Sequence, residues 1–335
     1  MTEHPQAGSV PGPHHHDRDE RDERGDHDAR RDADADERVA AERPALLGLA
    51  YRLLGSLADA EDVVQEAFGR WYAMTPEQRG EIRSPGAWLS TVASRICLDL
   101  LGSARRRRER YVGEWIPEPV PDAVGWATST AGAAASTPSD PAERVTLDES
   151  ITMAFLVVLE AMSPAERVSF VLHDVFGYSF AEIAEIVGRT PAACRQLAYS
   201  ARRRLSAPRE QHGSDSRAQD EVVADLRRAW ERKDIGALIG ILDPSVVLVA
   251  DGGGRVNAAL HPMVGAEEVA RYFVAIAQLA PDLTIEERTV NGRPGLLALQ
   301  NGEVAAVAAL EIVHGRVTNV WAMRNPDKLR AWTGM

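Results

Sequence analysis

Sulfur, lysine and aromatic rings are scarce in this chain. Its 335 residues include 2 cysteines, Cys97 and Cys194, and both fall in helical patterns. Two such thiols build no disulfide framework, so a reducing compartment, the cytoplasm, is the expected location. Lysine occurs only at Lys233 and Lys328, so nearly all positive charge is arginine. No apolar run approaches the roughly 18–20 residues that a membrane span needs. The N-terminus is polar and charged, without the apolar core of a signal peptide. His14, His15 and His16 sit in a charged tail with no cysteine or fixed scaffold nearby, so no metal site and no cofactor are expected.

One further absence is local. No acidic residue occurs between Glu185 and Glu210, whereas Arg189, Arg195, Arg202, Arg203, Arg204 and Arg209 all lie there. The same stretch has the punctuation of two short helices. Ser179 can cap the first, and Phe180, Ile183 and Val187 recur on one face. Gly188 ends it. Thr190 is an N-cap for the second, with Pro191 at the first helical position, where a missing N–H costs nothing. This is the pattern of a helix-turn-helix, whose second helix enters the DNA major groove. As a bare pattern it also fits a helical hairpin with a solvated arginine face.

The total charge of −12 opposes free-standing affinity for DNA. Residues 1–38 hold 12 acidic and 6 basic residues, half of that deficit. A protein so balanced is expected to meet DNA through local arginine patches and with a larger partner's help.

Composition divides the chain into six parts. Residues 1–40 are a mixed-charge tail expected to be disordered. Residues 41–112 carry helical apolar stripes: Leu46 to Leu54, a helix from near Asp59 to about Met74, a polar loop over Thr75–Ser84, and a long run from Pro85 to the arginines at 105–108. Residues 113–143 are a Pro/Ala/Ser/Gly-rich linker. It contains Trp115-Ile116-Pro117-Glu118-Pro119, either a small local cluster or an anchor for another surface. Residues 144–207 are a second helical unit ending in the helix-turn-helix, and 208–219 a short linker. Residues 220–335 change character: a helix over about 220–242, another over 266–280, and alternating stretches at 246–250, 256–259, 283–290, 295–300, 304–313 and 317–323. These read as an α+β domain of antiparallel hairpins with a curved sheet.

The order of these pieces resembles the extracytoplasmic-function (ECF) sigma factors, promoter-specificity subunits of bacterial RNA polymerase. Three motifs carry the resemblance over about residues 41–207. Asp59–Phe68 looks like region 2.2. Pro85-Gly86-Ala87-Trp88-Leu89 running into Arg105–Arg108 looks like regions 2.3 and 2.4. The helix-turn-helix after Leu159–Arg167 looks like region 4.2. The C-terminal unit resembles a SnoaL-like domain of the ketosteroid-isomerase-like cone fold, fused to one group of these factors. Its signatures stand here as Trp115–Pro119, Asp251-Gly252-Gly253-Gly254-Arg255 and Asn325-Pro326-Asp327-Lys328-Leu329, departing from the family only by Ile for Leu at 116 and Arg for Lys at 255.

The resemblance implies two all-α sigma domains plus an α+β cone domain, and these roles. Asp59, Glu61, Asp62, Gln65, Glu66 and Phe68 bind core RNA polymerase, the acidic side chains pairing with its arginines. Ser94, Arg95, Ile96, Asp99, Arg105, Arg106, Arg107 and Arg108 hold the −10 element, where a base must leave the stack. Trp88 is expected in the core. Thr190, Ala192, Ala193, Arg195, Gln196 and Tyr199 face the −35 element, Arg195 suited to a guanine and Gln196 to an adenine. Arg202, Arg203 and Arg204 grip phosphates. Trp115, Pro117, Pro119, Asp251, Gly252, Gly253, Gly254, Arg255, Asn325, Pro326 and Asp327 make intramolecular regulatory contacts, though the glycine loop alone also reads as a plain hairpin turn. Promoter DNA, core polymerase and the chain's own C-terminal domain are thus the expected partners, with room for a small ligand and no membrane. Two other readings are open. An enzymatic C-terminal domain has Asp251, His261 and His314 available, but no paired acid–base motif stands out, and the chain is expected not to be an enzyme. A simple DNA-binding repressor would bind DNA without polymerase.

Overall fold

The computed structural model describes residues 36–108, 111–121, 149–209 and 216–333. The tail at 1–35 with its histidines, the linker at 122–148, and the side chains of Arg105–Arg108 lie outside the described residues. The chain divides into two compact units, Met1–Arg43 and Pro44–Met335. The first shows helical residues 36–40 (α1). All that follows concerns the second.

Its N-terminal part is helical: α2 (Arg43–Leu54), α3 (Leu57–Tyr72), α4 (Pro76–Gly80) and α5 (Pro85–Arg108). Each start has a local cause. Ser56 caps α3 by accepting the Asp59 N–H. Thr75 and Gln78 close a reciprocal capping box with Pro76 at the first position. That box makes a helix of α4 within the stretch expected as a loop. Trp88 is half-buried and meets Trp71 edge-on, ring centroids 5.5 Å apart.

The next helices are α6 (Met153–Glu160), α7 (Pro164–Phe170), α8 (Phe180–Val187) and α9 (Pro191–Arg209). Capping boxes Ser163/Glu166 and Ser179/Glu182 start α7 and α8. Gly188, at φ 69°, ends α8 in the left-handed conformation that glycine adopts without strain. Cys97 and Cys194 are both buried and free.

The C-terminal part opens with α10 (Ser216–Glu231) and α11 (Ile235–Ile241). One helix was expected here. The chain breaks at Lys233, φ 57°, and Asp234 recaps it. Strands β1 (Leu242–Asp251), β2 (Met263–Val264), β3 (Leu283–Val290), β4 (Arg293–Gln300), β5 (Glu303–Val313) and β6 (Arg316–Met323), with α12 (Ala266–Leu279) between β2 and β3, complete the domain. They form one sheet in the order β2-β1-β6-β5-β4-β3. The expectation of hairpins holds for β3 to β6, but β1 pairs with β6 in parallel. The long connection through α12 permits that orientation. Residues 256–259 are no strand: the 252–255 turn, closed by the Arg255 N–H on Gly252 O, carries the chain away from the sheet.

The sheet is apolar on both faces. One face packs Leu248, Leu296, Leu310 and Val320 under the three helices, where Trp230 stacks on Phe273 at 4.7 Å. The other face carries Leu297, Val307, Trp321 and Met323. It is covered by Ile116 of the linker, Met153 of α6 and Trp332 near the C-terminus. Strands buried on both sides need two covers, and the linker, α6 and the chain's own C-terminal Trp332 together supply the second.

Candidate functional site

The helix-turn-helix is α8 and α9. Ile183 and Ile186 anchor α8, while Cys194, Ala198, Ala201 and Leu205 anchor α9. This rotation leaves Thr190, Ala192, Arg195, Gln196 and Tyr199 exposed along one side, with Ala193 half-buried. Thr190 Oγ1 accepts the Ala193 N–H at 3.2 Å, so its hydroxyl caps the helix. The Arg195 guanidinium lies over the Phe180 ring at 5.3 Å, and Phe180 stacks on His173 at 4.0 Å. Of the three terminal arginines, two bond to other parts of the chain, although Arg204 itself is exposed. Arg202 Nε donates to Asp174 Oδ1 at 2.7 Å, and Arg204 Nη1 donates to Ala161 O at 2.8 Å. Arg203 is exposed.

On α3, Val63, Val64, Ala67 and Phe68 face inward. The opposite face exposes Glu61, Asp62, Gln65 and Glu66, with Asp59 half-buried. Glu66 pairs with Arg70 at 2.9 Å. Phe68 is buried against its own domain and stacks on the half-exposed Tyr72. Within α5, Ser94 is fully buried, Ile96 is half-buried, and Arg95 and Asp99 are exposed. Burial keeps the Ser94 hydroxyl from any strand outside in this arrangement. Arg95 Nη2 donates to the Glu185 carbonyl on α8 at 3.1 Å, so the expected −10 reader is engaged by the helix-turn-helix.

The linker segment 111–121 and the C-terminal domain meet at Asp251, at the end of β1. This carboxylate has 0% exposure and four donors. Oδ1 accepts from Tyr111 Oη at 2.7 Å and from Gly253 N at 2.9 Å. Oδ2 accepts from Ile116 N at 3.1 Å and from Lys328 Nζ at 2.7 Å. Lys328 also donates to Ile116 O and lies 4.1 Å from the Trp115 ring centroid. Asn325 Nδ2 donates to Tyr111 Oη, and Arg255 pairs with Asp327 at 2.9 Å. The glycines permit this closeness: a Cβ on Gly253 would collide with the Asn325 amide, and one on Gly254 would press on Val112. Pro119 O accepts from Trp332 Nε1 at 2.9 Å; Pro117 is buried and Pro326 exposed.

On its other side the segment grips the helices. Glu118 N donates to Gly55 O at 2.8 Å, and Glu118 Oε2 accepts the Leu57 N–H at 2.8 Å. Burial pushes the Glu118 carboxyl up to about 7, against the opposing pull of that N–H and of Lys328. Burial likewise raises the Tyr111 hydroxyl.

Comparison with known proteins decides the family. Residues 39–107 match Sigma-70 region 2, and 152–205 match Sigma-70, region 4. ECF RNA polymerase sigma factor SigJ of Mycobacterium tuberculosis is 37% identical over 309 residues, covering 85% of this chain and 90% of that protein. The chain belongs to the ECF RNA polymerase sigma factors. A probable ECF sigma factor, SigI, of the same species is 36% identical, covering 88% of this chain and 95% of its own length. The crystal structure of M. tuberculosis SigJ superposes with a TM-score of 0.66 at 33% identity, over 87% of this chain and 96% of that one. Sigma factors bind core RNA polymerase and promoter DNA.

In this ECF factor the three short motifs read from the sequence converge on one buried ion pair. The enzymatic candidates do not converge. Asp251 lies at the Met323 end of the parallel β1–β6 pair, His314 lies in the turn before the opposite end of β6, and both histidines are exposed. Among the described residues no group of three or more His, Cys, Asp or Glu could hold a metal, and no helix is long and apolar enough to cross a membrane. Sequence reasoning missed Tyr51, Arg52, Tyr111, Asn291 and Trp332. Apart from the Arg52 bond to Gly48 O, the side-chain bonds that place them reach partners 67 or more residues away in sequence, so no local pattern marks them; the Trp332 ring, apolar near a chain end, was the one available signal.

Proposed function

We propose that this sigma factor is controlled in cis by its C-terminal domain, through the linker segment 111–121. The observation that supports this is the Asp251–Lys328 pair, buried with linker atoms completing its coordination. A tethered domain acts at high effective concentration, so modest contacts suffice. In this reading the exposed acidic face of α3 meets core polymerase, α5 holds the −10 element, and Arg195 and Gln196 read the −35 element. The Arg95–Glu185 contact favours a resting arrangement in which region 4 lies across part of the −10 reader. Promoter engagement then requires that contact to open.

Run-off transcription with purified core polymerase tests the proposal. Asp251→Ala, which uncouples the linker from the domain, is expected to change promoter-dependent transcription several-fold. Transcription equal to that of the unaltered chain at every polymerase concentration rejects cis control.

A further inference from the structure

The β3–β4 hairpin turns at Asn291-Gly292, with φ of 52° and 72°. Positive φ at both central residues is what a two-residue type I′ turn requires, and Asn-Gly is its preferred sequence. Such a tip ordinarily projects into water. Here Asn291 is 1% exposed.

Its side chain is saturated by three separate segments. Oδ1 accepts from Val120 N at 3.1 Å. Nδ2 donates to Tyr51 Oη at 2.9 Å and to Ile151 O at 2.9 Å. The Asn291 N–H adds a bond to Val120 O at 2.9 Å, and Tyr51 Oη donates onward to Glu118 O at 2.6 Å. Tyr51 belongs to α2 in region 2, Val120 and Glu118 to the linker, and Ile151 to the turn just before α6 and region 4. Gly292 lies beside Ile151, whose Cγ2 would be 3.8 Å from an added Cβ, an ordinary contact; its φ of 72° is what favours glycine.

We infer that the Asn291-Gly292 tip is a docking surface for regions 2 and 4 together, a latch that holds the start of region 4 against α2. One amide with two donors and an acceptor ties three segments that otherwise meet across the chain. A buried polar network with every member satisfied selects one arrangement over its neighbours. Two buried arginines cross the same seam. Arg167 Nη1 donates to Leu53 O at 2.9 Å, and Arg52 Nε donates to Ser150 Oγ at 2.6 Å. Seating the C-terminal domain therefore fixes how the two DNA-reading regions lie, and unseating it lets them part. This latch rests on the cis-control reading and supplies its contact point.

Full-length Asn291→Asp and Tyr51→Phe test it. Aspartate keeps the shape and the tolerance of positive φ, but replaces both N–H donors with an acceptor facing Ile151 O. Phenylalanine removes only the hydroxyl. Native-state hydrogen exchange is expected to quicken at the amides of 116–121 and 150–156, roughly tenfold or more in Asn291→Asp and less in Tyr51→Phe, with β5 and β6 unchanged. Unaltered exchange at 150–156 in both variants overturns the latch. Run-off transcription on the same proteins separates the two ideas. Faster exchange with a several-fold change in transcript supports both. Faster exchange with unchanged transcript leaves the latch standing and removes cis control.

Discussion

Lys328 Nζ lies 2.7 Å from Asp251 Oδ2, and the carboxylate it neutralises has no solvent exposure. The pair belongs to the C-terminal domain alone, and apart from the Gly253 N–H its remaining bonds go to Tyr111 and Ile116 of the linker. Neither side of the junction is satisfied without the other.

Asp251→Ala removes the acceptor of four donors and strands a largely buried ammonium. Breaking one partner of a buried pair costs about 3–5 kcal/mol. Chemical denaturation of the full chain is expected to show a loss of that order. Asp251→Asn, which keeps a carbonyl for two of the donors, loses less. Equal stability of all three proteins would contradict the geometry.

Glu118 gives the junction a pH dependence. Its carboxyl titrates near 7 in the folded chain against an ordinary 4.5, so the folded state holds the proton more tightly than the unfolded one. Stability from this group is therefore fully present at low pH and falls as pH rises from about 4.5 through 7. Glu118→Gln keeps an acceptor for Leu57 N and carries no charge. At pH 8 it should be more stable than the unaltered chain by about 1–3 kcal/mol, with the difference vanishing below about pH 4. Unfolding curves at the two pH values check this; a difference independent of pH excludes Glu118 as its source.

Arg195 and Gln196 stand exposed on the outer side of α9. Replacing either with alanine is expected to cost about 1–3 kcal/mol of discrimination at one −35 base. Arg203→Ala should weaken binding uniformly across sequences instead. Arg202→Ala is expected to lower stability, because it removes an ion pair from the buried Asp174. Transcription from a panel of single-base promoter variants, with a thermal melt of each protein, separates these outcomes.

The acidic face of α3 predicts a salt-sensitive partner. Asp62→Arg reverses charge at an exposed site without touching the core. Co-elution with core polymerase on a sizing column should be lost or markedly weakened, and raised ionic strength should weaken the unaltered complex in the same direction. Retention of the variant at wild-type level would place the polymerase contact elsewhere.

Local chemistry was legible in the sequence. Ser179, Gly188, Thr190 and Pro191 set the ends of α8 and α9 through capping and positive φ, and each acts within four residues of itself. The hairpin strands followed from alternation and from Asn-Gly and His-Gly turns. The stretches at 295–300 and 304–313 were read as alternating, whereas the structure buries the sheet on both faces. What covers the second face was not legible. Ile116, Met153 and Trp332 do so from three distant places in the chain.

The sequence by itself determined the ends of α8 and α9, the β3–β6 hairpins, the helix-turn-helix and the family, because those rest on residues near one another and on motif order. Only the tertiary structure decided that Asp251 takes two of its four donors from the linker, that Arg202 and Arg204 bond to other parts of the chain, that Ser94 is buried, and that Asn291 joins three segments. Each of those depends on groups brought together across long stretches of chain. There burial presses most polar atoms to find a partner, and no local spacing says which one it will be.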